Sequence, residues 1–281
     1  MTLISSGVAQ TIFNLVDFGG DSYIAVVALC AAMISVVIWS SVAWYLGLPT
    51  SESHALIAGL SGAGIGLSNS FKVLNWAEWL KVLYGIVFSI LFGLILGYII
   101  VHIIMRLFKN VERRKTTSIF TKAQIVGSAG MAFMHGAQDG QKFMGVFMLG
   151  AFLAQGQHVS SNFVIPIWMM ILCSAAMAFG TSVGGYRIIK SVGINMVKLE
   201  KYQGFAADLA GVISLLITTL LGIPVSTTHS KTTAIMGVGA AKGLNKVNWN
   251  IVKNMASSWI LVFPGCGLLG YVMANIFIRI F

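Results

Sequence analysis

The sequence predicts an all-α polytopic membrane protein of two repeated halves, each with a re-entrant helical hairpin. Three observations predict this. Apolar residues make up 57% of the 281 positions and charged residues 9%, with a mean hydropathy of +0.86; a soluble domain carries about 25% charged residues. Several apolar runs reach the ~20 residues that take a helix across a bilayer core. One element, G-[LI]-P-x-S-x-[ST]-H, occurs twice, at Gly47–His54 and at Gly222–His229.

Along the chain, residues 1–17 are weakly apolar and marginal as a span. Residues 22–47 read as a transmembrane helix ending in Trp44 and Tyr45, an aromatic pair suited to a membrane interface. Residues 48–67 are rich in Gly and Ser, too short and interrupted for an ordinary span. A re-entrant hairpin is expected there, because irregular backbone persists at membrane depth only when buried in protein or lining a cavity. Residues 75–107 form the next long helix. The basic stretch from Arg106 to Lys122 places a cytoplasmic linker at 108–122 by the positive-inside bias. It separates a first repeat, 1–107, from a second, 123–281. Within the second, a helical pattern over 123–154 is expected to break at His135-Gly136-Ala137-Gln138-Asp139-Gly140. Spans at 161–187 and 203–222, a second hairpin at 223–243 and a closing helix at 247–280 follow.

The net charge of +10 fits loop lysines and arginines, and no clustered basic face points to nucleic acid as a partner. Cys30, Cys173 and Cys266 lie in apolar segments without metal-ligand spacing, so no metal site is expected. No nucleophile, base and orienting group come together in the sequence, which argues against an enzyme. The partner that composition does predict is the lipid bilayer, and a homo-oligomer is left open.

The repeat is specific. At an offset of 175 (His54 to His229), Gly62 and Gly64 also match Gly237 and Gly239. Asn75-Trp76 and Gly97-Tyr98 match Asn248-Trp249 and Gly270-Tyr271 with a two-residue slip. Chance likeness between apolar helices gives Leu and Val matches, not a Pro-Ser-His string with glycines behind it. Shifted by the same offset, Asp139 has no counterpart after Met1, so the chain is expected to begin partway into its first repeat.

The chemistry of the element points to an anion. Pro near a helix start removes a donor that would be orphaned anyway. The Ser and Thr hydroxyls and first-turn N–H groups then converge on one spot, and a helix N-terminus carries about half a positive charge. Paired discontinuous helices are the sequence pointer to a transporter site, although small residues also serve close helix packing. Glu52, Asp139 and Asp208 are the acids in or beside apolar segments, where such groups are costly and functional by default. Asp139, with Gln138, suits Na⁺ coordination or proton transfer, and a structural pair with Lys142 is the alternative. Asp208 reads equally as a structural partner. Lys231 either attracts an anion or snorkels to the interface. Thr50, His54, His135 and His229 are candidates for shaping the site.

At these residues the chain resembles the inorganic phosphate transporter (PiT) family. The resemblance rests on W-Y-L-G-L-P-T-S-E-S-H-A-L (Trp44 to Leu56), H-G-A-Q-D-G-Q-K-F-M-G (His135 to Gly145), G-T-S-V-G-G-Y-R-I-I-K (Gly180 to Lys190) and G-I-P-V-S-T-T-H (Gly222 to His229). It implies a symporter of inorganic phosphate coupled to Na⁺ or H⁺, with inverted repeats, alternating access and no cofactor beyond the coupling ion. It assigns phosphate contact to Ser51, Ser53, Ser226, Thr227 and Thr228, and cation coordination to Gln138 and Asp139. Gln138 stands where the family has Asn, which lengthens that side chain by one methylene, and the family's first-repeat Asn-Asp pair has no counterpart. Four crossings between the hairpins would put both on one side, so inversion requires a break, for which 135–140 is the candidate. Sulfate transport and a non-transporting membrane subunit are the competing readings. The expected location is a bacterial plasma membrane, spanned several times.

Overall fold

A computed structural model describes residues 5–19, 21–156, 164–183, 190 and 196–281. Nine α-helices lie among them: α1 (Gly7–Phe13), α2 (Ser22–Leu46), α3 (Glu52–Ser68), α4 (Trp76–Leu107), α5 (Arg113–Ala154), α6 (Ile167–Ser182), α7 (Lys201–Leu220), α8 (Thr227–Lys242) and α9 (Trp249–Ile280). Four of them, α2, α4, α7 and α9, are long and apolar enough to cross a membrane. Leu83, Val87, Leu91 and Ile95 on α4 and Ile260, Leu261 and Leu268 on α9 point outward. A helix needs no outside partner for its backbone, so these apolar faces can meet lipid directly.

The repeated element builds a helix stop followed by a helix start. Gly47 and Gly222 adopt left-handed backbone, φ 68° and 67°, a conformation glycine takes without a Cβ penalty. The next residue donates back across the turn, Leu48 N to Ala43 O and Ile223 N to Thr218 O, both 2.9 Å. Such a closure satisfies the last carbonyls of the preceding helix. An extended tripeptide follows, and Ser51 or Ser226 then caps the next helix, its hydroxyl accepting from the N–H of His54 or His229 at 3.2 Å. Gly, Ser and His therefore each hold a backbone role at the same place in both copies.

The helices after the two elements pack reciprocally. α3 lies against α9, and α8 lies against α4. A Cβ on Gly62 would overlap the Gly267 carbonyl, and one on Gly237 would overlap that of Leu94. Likewise Gly270 abuts the Gly59 carbonyl and Gly97 that of Ala234. Each pair is the other displaced by the repeat, so the first helix of one copy packs on the second helix of the other. One apolar core gathers α1, α2, α3, the C-terminal half of α5, Met169 of α6, Val82 of α4 and the C-terminal part of α9 around Ala274; another gathers the C-terminal part of α4, α7, α8 and the N-terminal part of α9 around Met255. α5 joins them, with Met144 to Leu149 in the first and Phe120 in the second.

Several expectations change. α5 runs unbroken through 135–140 as one helix of 42 residues. Gly136 and Gly140 do not break it, because both are compatible with helical backbone and the flanking Met134 and Met144 are buried in apolar clusters. The 135–140 segment is therefore not the break that inversion required; between the two elements, the described helix too short to cross is α6, with 16 residues. Residues 48–67 and 223–243 each contain an extended lead-in and a single helix, α3 or α8, rather than two helical arms. Their glycines serve helix-helix contact and leave the helix intact. Residues 113–122 of the basic stretch are helical and begin α5, which leaves 108–112 as the connection. Residues 1–17 contain α1, a helix of seven residues whose Val8, Ala9 and Ile12 are fully buried. The span expected at 161–187 falls partly outside the described residues, as does most of the Gly180–Lys190 motif, including Arg187.

The glycine seam makes one expectation testable by thermal unfolding in detergent. Gly62→Val, which drives a side chain into a backbone carbonyl, should lower stability by about 1–3 kcal/mol or more. Gly180→Ala, whose added methyl meets nothing within 4 Å, should be neutral or gain up to about 1 kcal/mol.

Candidate functional site

The N-termini of α3 and α8 converge on the middle of α5. Asp139 lies at the centre, 7% exposed. Its Oδ2 accepts from Thr227 Oγ1 at 3.0 Å and pairs with His135 Nε2 at 2.9 Å. Its Oδ1 accepts from Lys142 Nζ at 2.6 Å and lies 3.3 Å from Ser53 Oγ. The first element thus supplies Ser53, the second supplies Thr227, and both reach one carboxylate. An isolated charge here would be costly, and Lys142 supplies the compensating charge one helical turn away.

Lys142 enters the sequence reading only as an alternative structural partner of Asp139. It is 1% exposed and the largest fully buried side chain among the described residues. Its ammonium donates to three oxygens from three elements: Asp139 Oδ1, Ser53 Oγ at 2.5 Å and the Val225 carbonyl at 2.6 Å. The structural pair with Asp139 is therefore present, and it reaches further than a pair. The i,i+3 spacing of Asp139 and Lys142 signalled contact between them. Nothing in the spacing signalled that Ser53 and Val225, distant in sequence, would share the same ammonium.

The remaining candidates divide by position. Ser51 and Ser226 are 1% exposed and cap their helices. Each hydroxyl oxygen accepts from an N–H, which leaves its own hydrogen as a donor. The backbone N–H groups of Glu52, Ser53, Thr227 and Thr228 belong to first turns and have no intrahelical acceptor. Thr228 is half-buried. Thr50 turns aside to accept from Trp39 Nε1 at 3.2 Å. Gln138 faces the second element's lead-in and does not reach Asp139; its amide donates to Thr219 Oγ1 and to the Ile223 carbonyl, both at 3.3 Å. Next to Lys142, the amide of Gln141 is buried without a protein hydrogen-bond partner.

His54 and His229 meet edge to face, with ring centroids 4.7 Å apart. His54 also leans on Phe263 at 4.9 Å, and His229 on Trp259 at 3.9 Å. The two rings brace the third residues of the two helices against each other, so the N-termini are held face to face. His135 is the most open member, its side chain 45% exposed. Away from this centre, Lys231 forms an ion pair with Asp208, which also accepts from Ser128 Oγ at 2.9 Å. These side chains tie α8 and α5 to α7. Glu52 accepts from Ser40 on α2, outside the convergence.

Comparison with known proteins identifies the family. The family model described as "Phosphate transporter family" matches residues 1–270. A "Probable low-affinity inorganic phosphate transporter" of Bacillus subtilis (strain 168) is 35% identical over 255 residues, 91% of this chain and 76% of that protein. One of the same name from Rhizobium meliloti (strain 1021) is 39% identical over 239 residues, 85% of this chain and 71% of that protein. A solved structure described as "The sodium-dependent phosphate transporter" shares the fold, with a TM-score of 0.83 over 99% of this chain and 86% of the other at 22% identity. The helices that can cross a bilayer, the doubled element and these matches lead to one conclusion: the chain is a multi-pass integral membrane protein, a transporter rather than an enzyme, and belongs to the phosphate transporter family.

Proposed function

We propose that the chain is a secondary active symporter of inorganic phosphate, coupled to Na⁺ or H⁺, with the anion bound between the N-termini of α3 and α8. One observation carries the reading: two capped helix N-termini, from matching elements of opposite halves, face each other across a buried Asp139. Helix N-termini favour anions through partial charge and free N–H donors. The hydroxyls of Ser51, Ser226 and Thr228 add donors that suit a tetrahedral oxyanion from two sides, and Ser53 and Thr227, whose hydroxyls face Asp139 here, add theirs once they turn from it. The relatives named as inorganic phosphate transporters support the choice of anion. The solved structure described as sodium-dependent supports cation coupling.

In this reading α3 and α8 carry the anion seat on separate cores, and α5 carries Asp139 at the seam. Motion of one core against the other then opens the seat to one side of the membrane at a time, as paired-repeat transporters do. The closed packing, with Ser51, Ser53, Asp139, Ser226 and Thr227 all at most 7% exposed, corresponds to an occluded arrangement. The helix termini answer the anion, and the Asp139–Lys142 pair keeps the seat between them from carrying a net negative charge.

Phosphate uptake into proteoliposomes tests the seat. Ser226→Ala and Ser51→Ala should each reduce uptake about 10–100-fold, the loss of one hydrogen bond to a charged group being worth about 1.5–3 kcal/mol. Asp139→Asn should fall at least as far. Full uptake in both Asp139→Asn and Ser226→Ala would remove the site assignment. Sulfate should compete weakly and without the pH dependence that phosphate shows near neutrality. Equal competition at every pH would make the chain a sulfate carrier instead.

A further inference from the structure

We infer that the Lys142 ammonium is a built-in occupant of a cation seat formed by Asp139, Ser53 and the Val225 carbonyl, so that this chain moves phosphate without a Na⁺ bound there. The inference rests on the proposed phosphate reading and names the cation requirement of that same site. The seat is made wholly of oxygens: a carboxylate from α5, a hydroxyl from the first turn of α3 and a main-chain carbonyl from the extended lead-in to α8. Each lies 2.5–2.6 Å from Lys142 Nζ. A hard cation takes this kind of set, carboxylate with hydroxyl and carbonyl oxygens, and carbonyls of non-helical backbone serve Na⁺ in transporters. Thr227 Oγ1, bonded to the other oxygen of the same carboxylate, stands beside it.

Lys142 comes from within the helix that carries Asp139 and is almost fully buried. Its charge is therefore part of the protein and does not depend on the external salt. A second cation in the same seat would face a like charge at contact distance inside a buried site, which excludes it. The charge that a mobile Na⁺ would bring, neutralising Asp139 and drawing the two helix N-termini together, is already supplied by the ammonium. Removing the lysine side chain while keeping Asp139 should leave a seat of the right chemistry with a vacancy the size of a cation.

The test uses the full chain in proteoliposomes, with radiolabelled phosphate uptake in NaCl against choline chloride at fixed pH, and direct ²²Na⁺ binding to the purified protein. The wild type should change less than twofold between the two salts and show no saturable ²²Na⁺ binding that Asp139→Asn removes. Lys142→Ala should gain saturable ²²Na⁺ binding, lost again in Asp139→Asn/Lys142→Ala, and its uptake should fall about tenfold or more in choline and recover in NaCl. Saturable, Asp139-dependent Na⁺ binding by the wild type, or a tenfold Na⁺ stimulation of its uptake, would overturn the inference. So would a folded Lys142→Ala protein that binds no Na⁺, which would make the lysine a direct partner of the anion. If Lys142→Ala does not fold, the wild-type measurements decide. A wild type that takes up no phosphate would count against the proposed function alone, because the Na⁺-binding measurements still decide the occupancy of the seat.

Discussion

The structure depends on one buried ion pair shared by three chain segments. Asp139 and Lys142 sit one turn apart on α5, yet their partners, Ser53, Thr227 and the Val225 carbonyl, come from both repeated elements. Each charge would be costly alone in a membrane interior, and each is tolerable because the other is within 2.6 Å and the remaining lone pairs and protons are taken up by hydroxyls and a carbonyl. That compensation makes the junction cooperative. Loss of any one member leaves another polar group buried and unanswered, so α3, α5 and α8 are held in register by the same few bonds.

Around that pair the backbone is arranged to bring two helix N-termini together. A left-handed glycine ends α2 and another ends α7, an extended tripeptide follows each, and a serine starts the next helix. Glycine seams then let α3 approach α9 and α8 approach α4 until backbone meets backbone. Dispersion across such close contacts, rather than apolar burial from water, is what holds helices together where the surrounding solvent is itself apolar. The reciprocal packing has a mechanical consequence. Each half packs a helix on the other, so movement of α3 or α8 bears directly on a helix of the opposite half.

Much of this is legible in the sequence. The doubled Gly-Pro-Ser-His string marked both helix starts, because each residue type answers a local backbone demand that any copy must meet. Asp139 was legible as costly and therefore purposeful. The continuity of α5 was not, since Gly136 and Gly140 read as breakers when taken alone. In place they are helical, and neither a Cβ on Gly136 nor one on Gly140 would meet a close obstacle. The single-helix form of 48–67 and 223–243 was hidden for a similar reason: glycines that suggested interrupted backbone are spaced for contact with a neighbouring helix. Gln138 was read as a cation ligand from its place beside Asp139, but adjacent residues on a helix point about 100° apart, and its amide faces Thr219 and Ile223 instead.

By itself the sequence determined the membrane class and the doubled element with its local stop-and-start geometry, because composition, turn chemistry and capping are short-range effects. Only the tertiary structure decided that the two elements face each other across α5 and that Lys142 stands between them. Those contacts join residues 83 to 89 positions apart, and it is the packing of the two cores, not any local preference, that sets which distant oxygen a buried ammonium meets.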